Sequence, residues 1–114
     1  MSENAADMIS IEDFGQVELR TAKILEAERV PETTRLLKLQ VDLGSEQRQL
    51  VAGIAESYEP ESIVGRTIIV VANLKPARLR GVESQGMLLA ATPEGGTPIL
   101  ATFDTEVPPG TKVR

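Results

Sequence analysis

The alternation of apolar and polar residues over 37–43 constrains the fold more than any other feature of this sequence. Leucine and valine occupy every second position there, and polar residues fill the positions between, so the segment predicts a strand with one buried face. Gly44 ends the run, and the apolar residues of 47–54 follow after a short turn, which is typical of a β-hairpin. The longer segment 17–27 also alternates but changes phase after Thr21, which predicts a bulged strand that serves two sides of a barrel.

Short strands continue along the rest of the chain. A β-branched run at 67–74 is apolar on both faces and predicts a central strand. The other predicted elements are an N-capped helical turn at 10–15, a helical turn at 59–65, a loop at 75–85, a buried strand at 87–91 and a sixth short strand at 99–103. Five main strands, with a short helix between strands three and four, predict an all-β OB-fold. This fold is a five-stranded Greek-key barrel, and here it has N- and C-terminal extensions.

Composition excludes several classes of function. The 114-residue chain has no Cys and no His, so disulfides, thiolate or imidazole metal sites, Cys nucleophiles and the Ser-His-Asp triad are all excluded. No glycine pattern matches a Walker loop or a dinucleotide-binding loop. We therefore expect a binding module that is not an enzyme and has neither cofactor nor metal. The sequence shows no apolar run of roughly 20 residues and no signal peptide, so we expect no membrane partner and a cytoplasmic location.

The charge distribution indicates where a ligand binds. Twelve basic and 17 acidic residues give a net charge of −5, yet the stretch from Arg66 to Arg80 contains four bases and no acid. An OB-fold binds its ligands through the face of strands two and three and through the loops that join strands one to two and four to five. These loops are 31–35 and 75–85 here, so the basic stretch and the second binding loop coincide.

Lys75, Arg78 and Arg80 in the second loop are candidates for phosphate contacts, because arginine forks onto phosphate oxygens and lysine acts as a point charge. The alternative is a loop whose charges serve solubility alone. The chain has only three aromatic residues, and none falls on the expected binding face. Recognition by phosphate contacts and shape is therefore favoured over the stacking of bases on aromatic rings.

Other polar residues near these loops are further candidates. Ser84 and Gln85 have the groups to hydrogen-bond a sugar or a base edge, and Met87 has the side chain for an apolar contact. The alternative is that the two polar residues close a turn and that Met87 belongs to the core. Arg35 and Lys38 lie at the start of strand two beside the first loop, where the alternative is that they are solvated surface charges.

Five segments together carry a resemblance to a known family. They are 9–14, 17–20, 36–39, 51–54 and above all the stretch VANLKPARLRGVESQGM at 71–87. Over about residues 9–114, the sequence resembles the tRNA-binding OB domain found at the C-terminus of methionyl-tRNA synthetases and as a free-standing structure-specific tRNA-binding protein. The resemblance implies a homodimer that binds tRNA by its shape and assists a methionyl-type aminoacyl-tRNA synthetase in cis or in trans. By matching position it also implies a tRNA-contacting set: Arg35, Lys38, Asn73, Lys75, Arg78, Arg80, Ser84 and Met87.

The predicted organisation is a flexible N-terminal lead at 1–8 and a tRNA-binding OB-fold domain at 9–114. Met1 and the short polar lead favour a whole gene product over an excised synthetase domain. The alternative function is that of a related secretion-chaperone branch, a dimer that binds unfolded polypeptide through apolar surface. Apolar residues at 99–103 and Val107 remain after five strands are complete, so we expect them to form a homodimer interface together with the N-terminal turn.

Overall fold

A computed structural model of the protein describes residues 7–114, and residues 1–6 of the predicted flexible lead lie outside the described residues. The elements, in chain order, are α1 (Ile11–Phe14), β1 (Leu19–Arg29), β2 (Leu37–Asp42), β3 (Gln47–Ala52), α2 (Pro60–Ile63), β4 (Thr67–Val71), β5 (Ala77–Leu79), β6 (Val82–Ser84), β7 (Met87–Leu88), β8 (Ala90–Ala91), β9 (Ile99–Leu100) and β10 (Lys112–Val113). Within this part of the chain, no helix has the length and apolar character needed to cross a membrane.

The main sheet is antiparallel and has the strand order β3-β2-β1-β4-β7, with β10 added beside the start of β1. The sheet curls until the segment before β7 lies along β3, where the Gln85 N–H donates to the Gln49 carbonyl oxygen at 2.8 Å. Between β3 and β4 the chain forms α2. Five strands in this order with a helix in this position confirm the predicted OB-fold.

A β-bulge lets the 11-residue strand β1 take part in both halves of the barrel. The register with β2 pairs Ile24 with Val41 and Glu26 with Gln40, so Leu25 is the extra residue. Ahead of the bulge, β1 pairs with β4 from Leu19 to Lys23, and from Lys23 onward it pairs with β2. The predicted phase change in this strand is therefore confirmed as a bulge.

The core lies inside the barrel and follows the predicted alternation of β2. Leu37, Leu39 and Val41 are fully buried, and the residues between them are partly exposed. Burying each such side chain contributes about 1.5–3 kcal/mol relative to leaving it in water. The remaining buried residues of the cluster are Ala22, Ile24, Leu43, Leu50, Ala52, Ile54, Ala55, Ile63, Ile68, Val70 and Leu100.

The predicted N-capped helical turn is confirmed in α1. The Ser10 hydroxyl accepts a hydrogen bond from the Asp13 N–H at 2.9 Å, which satisfies one of the free donors at the helix start. The turn ends at Gly15, as expected.

The prediction of a buried strand at 87–91 was wrong. The segment forms two separate two-residue strands, β7 on the barrel and β8 in a small sheet with β9. Met87 is 50% exposed, and Ala90 and Ala91 are exposed. The reason is that β7 is an end strand of the main sheet and pairs with only the last two residues of β4, so Leu88 packs against the core while Met87 stays half exposed.

The predicted loop at 75–85 is in fact a β-hairpin. In the antiparallel ladder of β5 and β6, Ala77 pairs with Ser84 and Leu79 with Val82. The two-residue turn places Arg80 at φ 53° and Gly81 at φ 81°, and two consecutive left-handed residues match the natural twist of a hairpin. Arginine is an unusual first residue for such a turn, which is why the sequence pattern did not indicate it.

The predicted C-terminal extension packs against β1 at Thr21. Thr21 is fully buried, and its hydroxyl donates to the Pro108 carbonyl oxygen at 2.7 Å and accepts from the Thr111 N–H at 2.9 Å. The Gly110 N–H donates to the Thr21 carbonyl oxygen at 2.8 Å. Gly110 has a φ of 83°, and a Cβ at this position would overlap the Leu43 carbonyl oxygen, so the close approach requires glycine.

Candidate nucleic-acid interface

We call residues 75–84 the basic hairpin, because this segment presents Lys75 before β5, Arg78 on β5 and Arg80 in the turn. All three residues are exposed. Within residues 7–114, no ion pair joins any of these three cations to a carboxylate. Arg78 donates to the Gly81 carbonyl oxygen at 2.6 Å, which braces the turn and leaves most of its guanidinium free. The hairpin therefore presents three positive charges without an ion-pair partner, and its one carboxylate, Glu83, lies opposite Arg78 in the ladder.

Hydrogen bonds fix the second strand of this hairpin to the edge of β3. The Gln49 N–H donates to the Gln85 side-chain oxygen at 3.0 Å, and the Gln49 side-chain amide donates to the Glu83 carbonyl oxygen at 2.8 Å. The Ser84 hydroxyl accepts from the Val51 N–H at 2.9 Å and donates to the Gly86 carbonyl oxygen at 2.9 Å. A protruding hairpin with exposed cations is thus anchored along a barrel strand.

Two of the predicted contact residues, the buried Ser84 and the exposed Asn73, use their polar groups in hydrogen bonds within the protein. Ser84 is only 4% exposed, and its hydroxyl already has a donor and an acceptor. The Asn73 side chain accepts from the Glu18 N–H at 2.8 Å and donates to the Gln16 carbonyl oxygen at 2.6 Å. Both residues shape the base of the basic hairpin, Ser84 on the β3 side and Asn73 on the side of the N-terminal segment.

Gly86 allows the chain to pass closely over the barrel wall between the basic hairpin and β7. Its φ is 149°, and a Cβ there would lie 3.1 Å from both Val70 Cγ1 and the Val71 carbonyl oxygen. Few real Cβ contacts are that short, and the neighbours belong to the packed core. Glycine at this position is therefore what lets β6 and β7 follow each other so tightly.

Arg48 is a residue that the sequence analysis missed. It lies on β3, and its guanidinium forms two hydrogen bonds of 3.1 Å to the two carboxylate oxygens of Glu46. The same group donates to the carbonyl oxygens of Ala72 and, at 3.2 Å, Gln85. The hydrogen bond and the charge of Arg48 lower the pKa of the Glu46 carboxyl. A lone arginine in the alternating pattern of β3 gives no sequence signal for this role.

The two predicted residues of the first loop region differ in how free their charges are. Arg35 has a side chain that is 74% exposed and lies 3.9 Å from a Glu56 carboxylate oxygen. The Lys38 ammonium lies 2.9 Å from a carboxylate oxygen of Glu28, so its charge is partly compensated. Lys38 pairs across the ladder with Val51, which places it beside the strand that holds the basic hairpin. The structure thus brings Lys38 near the hairpin base.

Met87 lies in a shallow open groove rather than in the core. The groove is lined mostly by apolar residues of β3, β7 and the segments that follow them: Val51, Ala52, Gly53, Ile54, Met87, Leu88, Leu89, Ala90, Thr92 and Pro98. Because half of the Met87 surface is exposed, the interpretation of Met87 as a core residue was wrong. The side chain is open to a ligand next to the basic hairpin.

Comparison with known families identifies the class of the protein. The family model described as "Putative tRNA binding domain" matches residues 19–112. Since this match covers most of the chain, the protein belongs to this family of tRNA-binding domains.

Individual relatives are methionyl-tRNA synthetases. The chain is 62% identical over 105 residues to a methionine–tRNA ligase of Thermotoga maritima, an alignment that covers 92% of this chain and 16% of the ligase. It is 51% identical over 112 residues to methionine–tRNA ligase 1 of Bacillus anthracis, covering 98% of this chain and 17% of the ligase. The chain therefore spans about a sixth of the length of these curated relatives. The resemblance to the synthetase domain is confirmed.

Two solved structures share the whole fold. The crystal structure of a MetRS related protein from Pyrococcus horikoshii matches with a TM-score of 0.89 and 39% identity, covering 95% of this chain and 99% of that chain. The chaperone CsaA from Bacillus anthracis matches with a TM-score of 0.88 and 33% identity, covering 94% of this chain and 99% of that chain. The solved structures that share this fold thus include both a MetRS related protein and a chaperone.

Proposed function

We propose that this protein binds folded tRNA and assists a methionyl-type aminoacyl-tRNA synthetase, in cis or in trans, without catalysing a reaction itself. The domain spans residues 9–114 in this proposal, and the tRNA-contacting groups are the exposed cations of the basic hairpin together with Arg35, Lys38 and Met87. Asn73 and Ser84 hold the hairpin in place. Since tRNA is charged in the cytoplasm, we place the function there.

The observation that carries this proposal is the basic hairpin itself. Its three cations have no ion-pair partner within the described residues, while Arg29, Lys38 and Arg48 each have one. A protein with a net charge of −5 that keeps a cluster of three cations free of ion pairs has a surface suited to phosphates. Membership of the tRNA-binding family supports tRNA as the nucleic acid concerned.

Removing the three cations tests the proposal. The variant Lys75→Ala/Arg78→Ala/Arg80→Ala should weaken the binding of all tRNAs about equally, because phosphate contacts do not read sequence. Each lost phosphate contact also flattens the plot of log affinity against log salt by up to roughly one unit, because one counterion fewer is released. A filter-binding series in increasing KCl measures both effects. A triple variant that stays folded and keeps the wild-type salt slope would refute the proposal.

A matched control changes the net charge by the same amount elsewhere. Lys23, Lys112 and Arg114 are exposed and lie outside the proposed contact set. The variant Lys23→Ala/Lys112→Ala/Arg114→Ala should retain most of the tRNA affinity and most of the salt slope. An equal loss in both triple variants would mean that overall charge, and not the basic hairpin, attracts the RNA.

The mode of recognition also predicts selectivity. None of the three aromatic residues belongs to β2, β3 or the basic hairpin: Phe14 lies in α1, Tyr58 packs against the core and under Arg66, and Phe103 follows β9. Binding should therefore favour folded tRNA over unstructured RNA of equal length. Competition by poly-pyrimidine that equals competition by unlabelled tRNA would contradict shape recognition.

The homodimer is part of the same proposal. The N-terminal segment exposes a run of large apolar side chains, and Ile99 of β9 is 53% exposed; the N-terminal residues concerned are Met8, Ile9, Ile11, Phe14 and Val17. Exposed apolar surface of this kind usually marks an interface, and a twofold dimer is the commonest solution. Light scattering should return twice the 12.3 kDa chain mass, and Ile11→Lys should reduce it towards the monomer. A monomer mass for the wild-type protein at micromolar concentration would reject the dimer.

A second candidate function is the binding of unfolded polypeptide, and the apolar groove around Met87 favours it. Salt distinguishes the two functions, because phosphate binding weakens steeply as salt rises whereas apolar peptide binding does not. An unfolded model protein that stays bound in about 0.5 M KCl, together with no tRNA binding at low salt, would favour polypeptide binding over tRNA binding.

A further inference from the structure

Arg48 occupies an unusual position at the foot of the basic hairpin. Its side chain is 23% exposed, and it contacts three separate parts of the chain: Glu46 before β3, Ala72 after β4 and Gln85 before β7. A guanidinium has five N–H donors, and four of them are engaged here by the carboxylate and the two carbonyl oxygens. Little of the group remains to contact a phosphate.

The two carbonyl groups that Arg48 binds belong to residues at either end of the segment that contains the basic hairpin. The ladder between β4 and β7 pairs Val70 with Leu88 and Val71 with Met87. Ala72 is the next residue on the outgoing strand, and Gln85 lies just beyond the corresponding point on the returning strand. Arg48 therefore connects the two ends of this segment at the point where the ladder between β4 and β7 stops. Glu46 holds the guanidinium in the plane that reaches both carbonyl oxygens.

We infer that Arg48 is a positioning residue for RNA binding: its guanidinium, oriented by Glu46, fixes the basic hairpin in the orientation that presents its three cations together, without contacting RNA itself. This inference rests on the proposed function. Without the hydrogen bonds of Arg48, the hairpin samples several orientations. The apparent dissociation constant for tRNA then rises by the reciprocal of the fraction of molecules whose hairpin is in the binding orientation. We expect the affinity for tRNA to fall about three- to tenfold, which corresponds to a competent fraction of roughly a third to a tenth.

A charge-neutral double variant, Glu46→Gln/Arg48→Gln, tests the inference. Because it removes one positive and one negative charge, the net charge of the protein is unchanged. Three results are expected together: weaker tRNA binding, an unchanged slope of log affinity against log salt, and faster hydrogen exchange at the amides of residues 77–84. A slope that falls by about one unit with unchanged exchange would show that Arg48 contacts phosphate, and it would overturn the inference.

A matched control removes another surface ion pair of the same length. The Arg29 guanidinium lies 3.1 Å from a Glu59 carboxylate oxygen, the same distance as between Arg48 and Glu46. The variant Arg29→Gln/Glu59→Gln should leave tRNA affinity and exchange at residues 77–84 unchanged. Equal effects in both double variants would mean that any lost ion pair acts through general destabilisation, and this result would also overturn the inference.

The single variant Arg48→Lys is a second test, which applies also if the double variant fails to fold. Lysine retains the charge but has three donors on one nitrogen, so it does not fork onto Glu46 and reach both carbonyl oxygens at once. Weaker tRNA binding with faster hydrogen exchange at residues 77–84 supports the positioning role of Arg48, and wild-type values for both would overturn the inference. The hydrogen-exchange measurement needs no RNA. If wild-type protein fails to bind tRNA, the proposed function fails, while exchange in the variants still reports whether Arg48 holds the hairpin.

Discussion

The Ser84→Ala substitution distinguishes a residue that holds the fold from one that contacts RNA. Ser84 is 4% exposed, and its hydroxyl bonds the Val51 N–H and the Gly86 carbonyl oxygen, both at 2.9 Å. Alanine leaves the Val51 N–H without its acceptor next to the core, which costs about 1–3 kcal/mol. We expect the free energy of unfolding to fall by that amount. The melting temperature should fall by roughly 3–5 °C for each kcal/mol in a domain of this length.

Urea unfolding followed by far-UV circular dichroism measures this loss, because the chain has no Trp and only one Tyr as a fluorescent probe. Ser57→Ala is the matched control. The Ser57 hydroxyl oxygen is buried and has no hydrogen-bond partner within residues 7–114. Since alanine removes no hydrogen bond at this position, Ser57→Ala should leave the free energy of unfolding unchanged or raise it.

Two results would refute this reasoning. If Ser84→Ala unfolds at the wild-type urea concentration and yet binds tRNA more weakly, Ser84 contacts the RNA directly, as the family resemblance implies. If both serine variants lose the same stability, the two hydrogen bonds of Ser84 are not the cause. If Ser84→Ala alone loses stability, and its tRNA affinity falls only as far as hydrogen exchange in the basic hairpin rises, the positioning role is supported.

Three further substitutions test other parts of the site. Gly86→Ala should cost about 1–3 kcal/mol of unfolding free energy, because its φ is 149° and its Cβ meets the packed barrel wall at 3.1 Å, whereas Gly53→Ala, with open space around it and no positive φ, should cost less. Met87→Ala should change stability by within about 0.5 kcal/mol, because the side chain is half exposed, and a loss of tRNA affinity would show direct contact. Arg48 lowers the pKa of Glu46 below its ordinary 4.5, so the stabilisation from this pair should be complete above that pH and be lost as the pH falls through the lowered pKa. An NMR titration of the Glu46 carboxyl checks this, and Glu46→Gln should abolish that pH dependence.

Much of the barrel was predictable because its strands carry their own pattern. The alternation of 37–43 is a direct consequence of one buried and one solvated face, and β2 has both. The phase change in the first strand predicted a bulge, since one extra residue moves every later side chain to the opposite face. The helical turn before β4 followed from Pro60 at its start. These features depend on neighbours in sequence.

The parts that were missed depend on contacts between distant segments. Arg48 lies 24 residues from Ala72 and 37 from Gln85, and nothing local in β3 indicates either partner. Apolar residues at 87–91 predicted a buried strand, but burial there depends on which strands cover β7, and only the end of β4 pairs with it. The exposed cations of the basic hairpin were identified from the sequence, while their anchoring to β3 was not.

The pairing of Leu19 with Val113 has a consequence for fusions of this domain to other proteins. The chain enters the barrel at Leu19 and leaves it at Val113, and these two points are neighbours. Asn73 binds the backbone of Gln16 and Glu18, so the entry point also adjoins the stem of the basic hairpin. A domain fused ahead of α1 by a short linker would be held at high effective concentration beside an RNA bound at the basic hairpin. The length of that linker, more than any direct contact between the two domains, then sets how much the tether strengthens RNA capture.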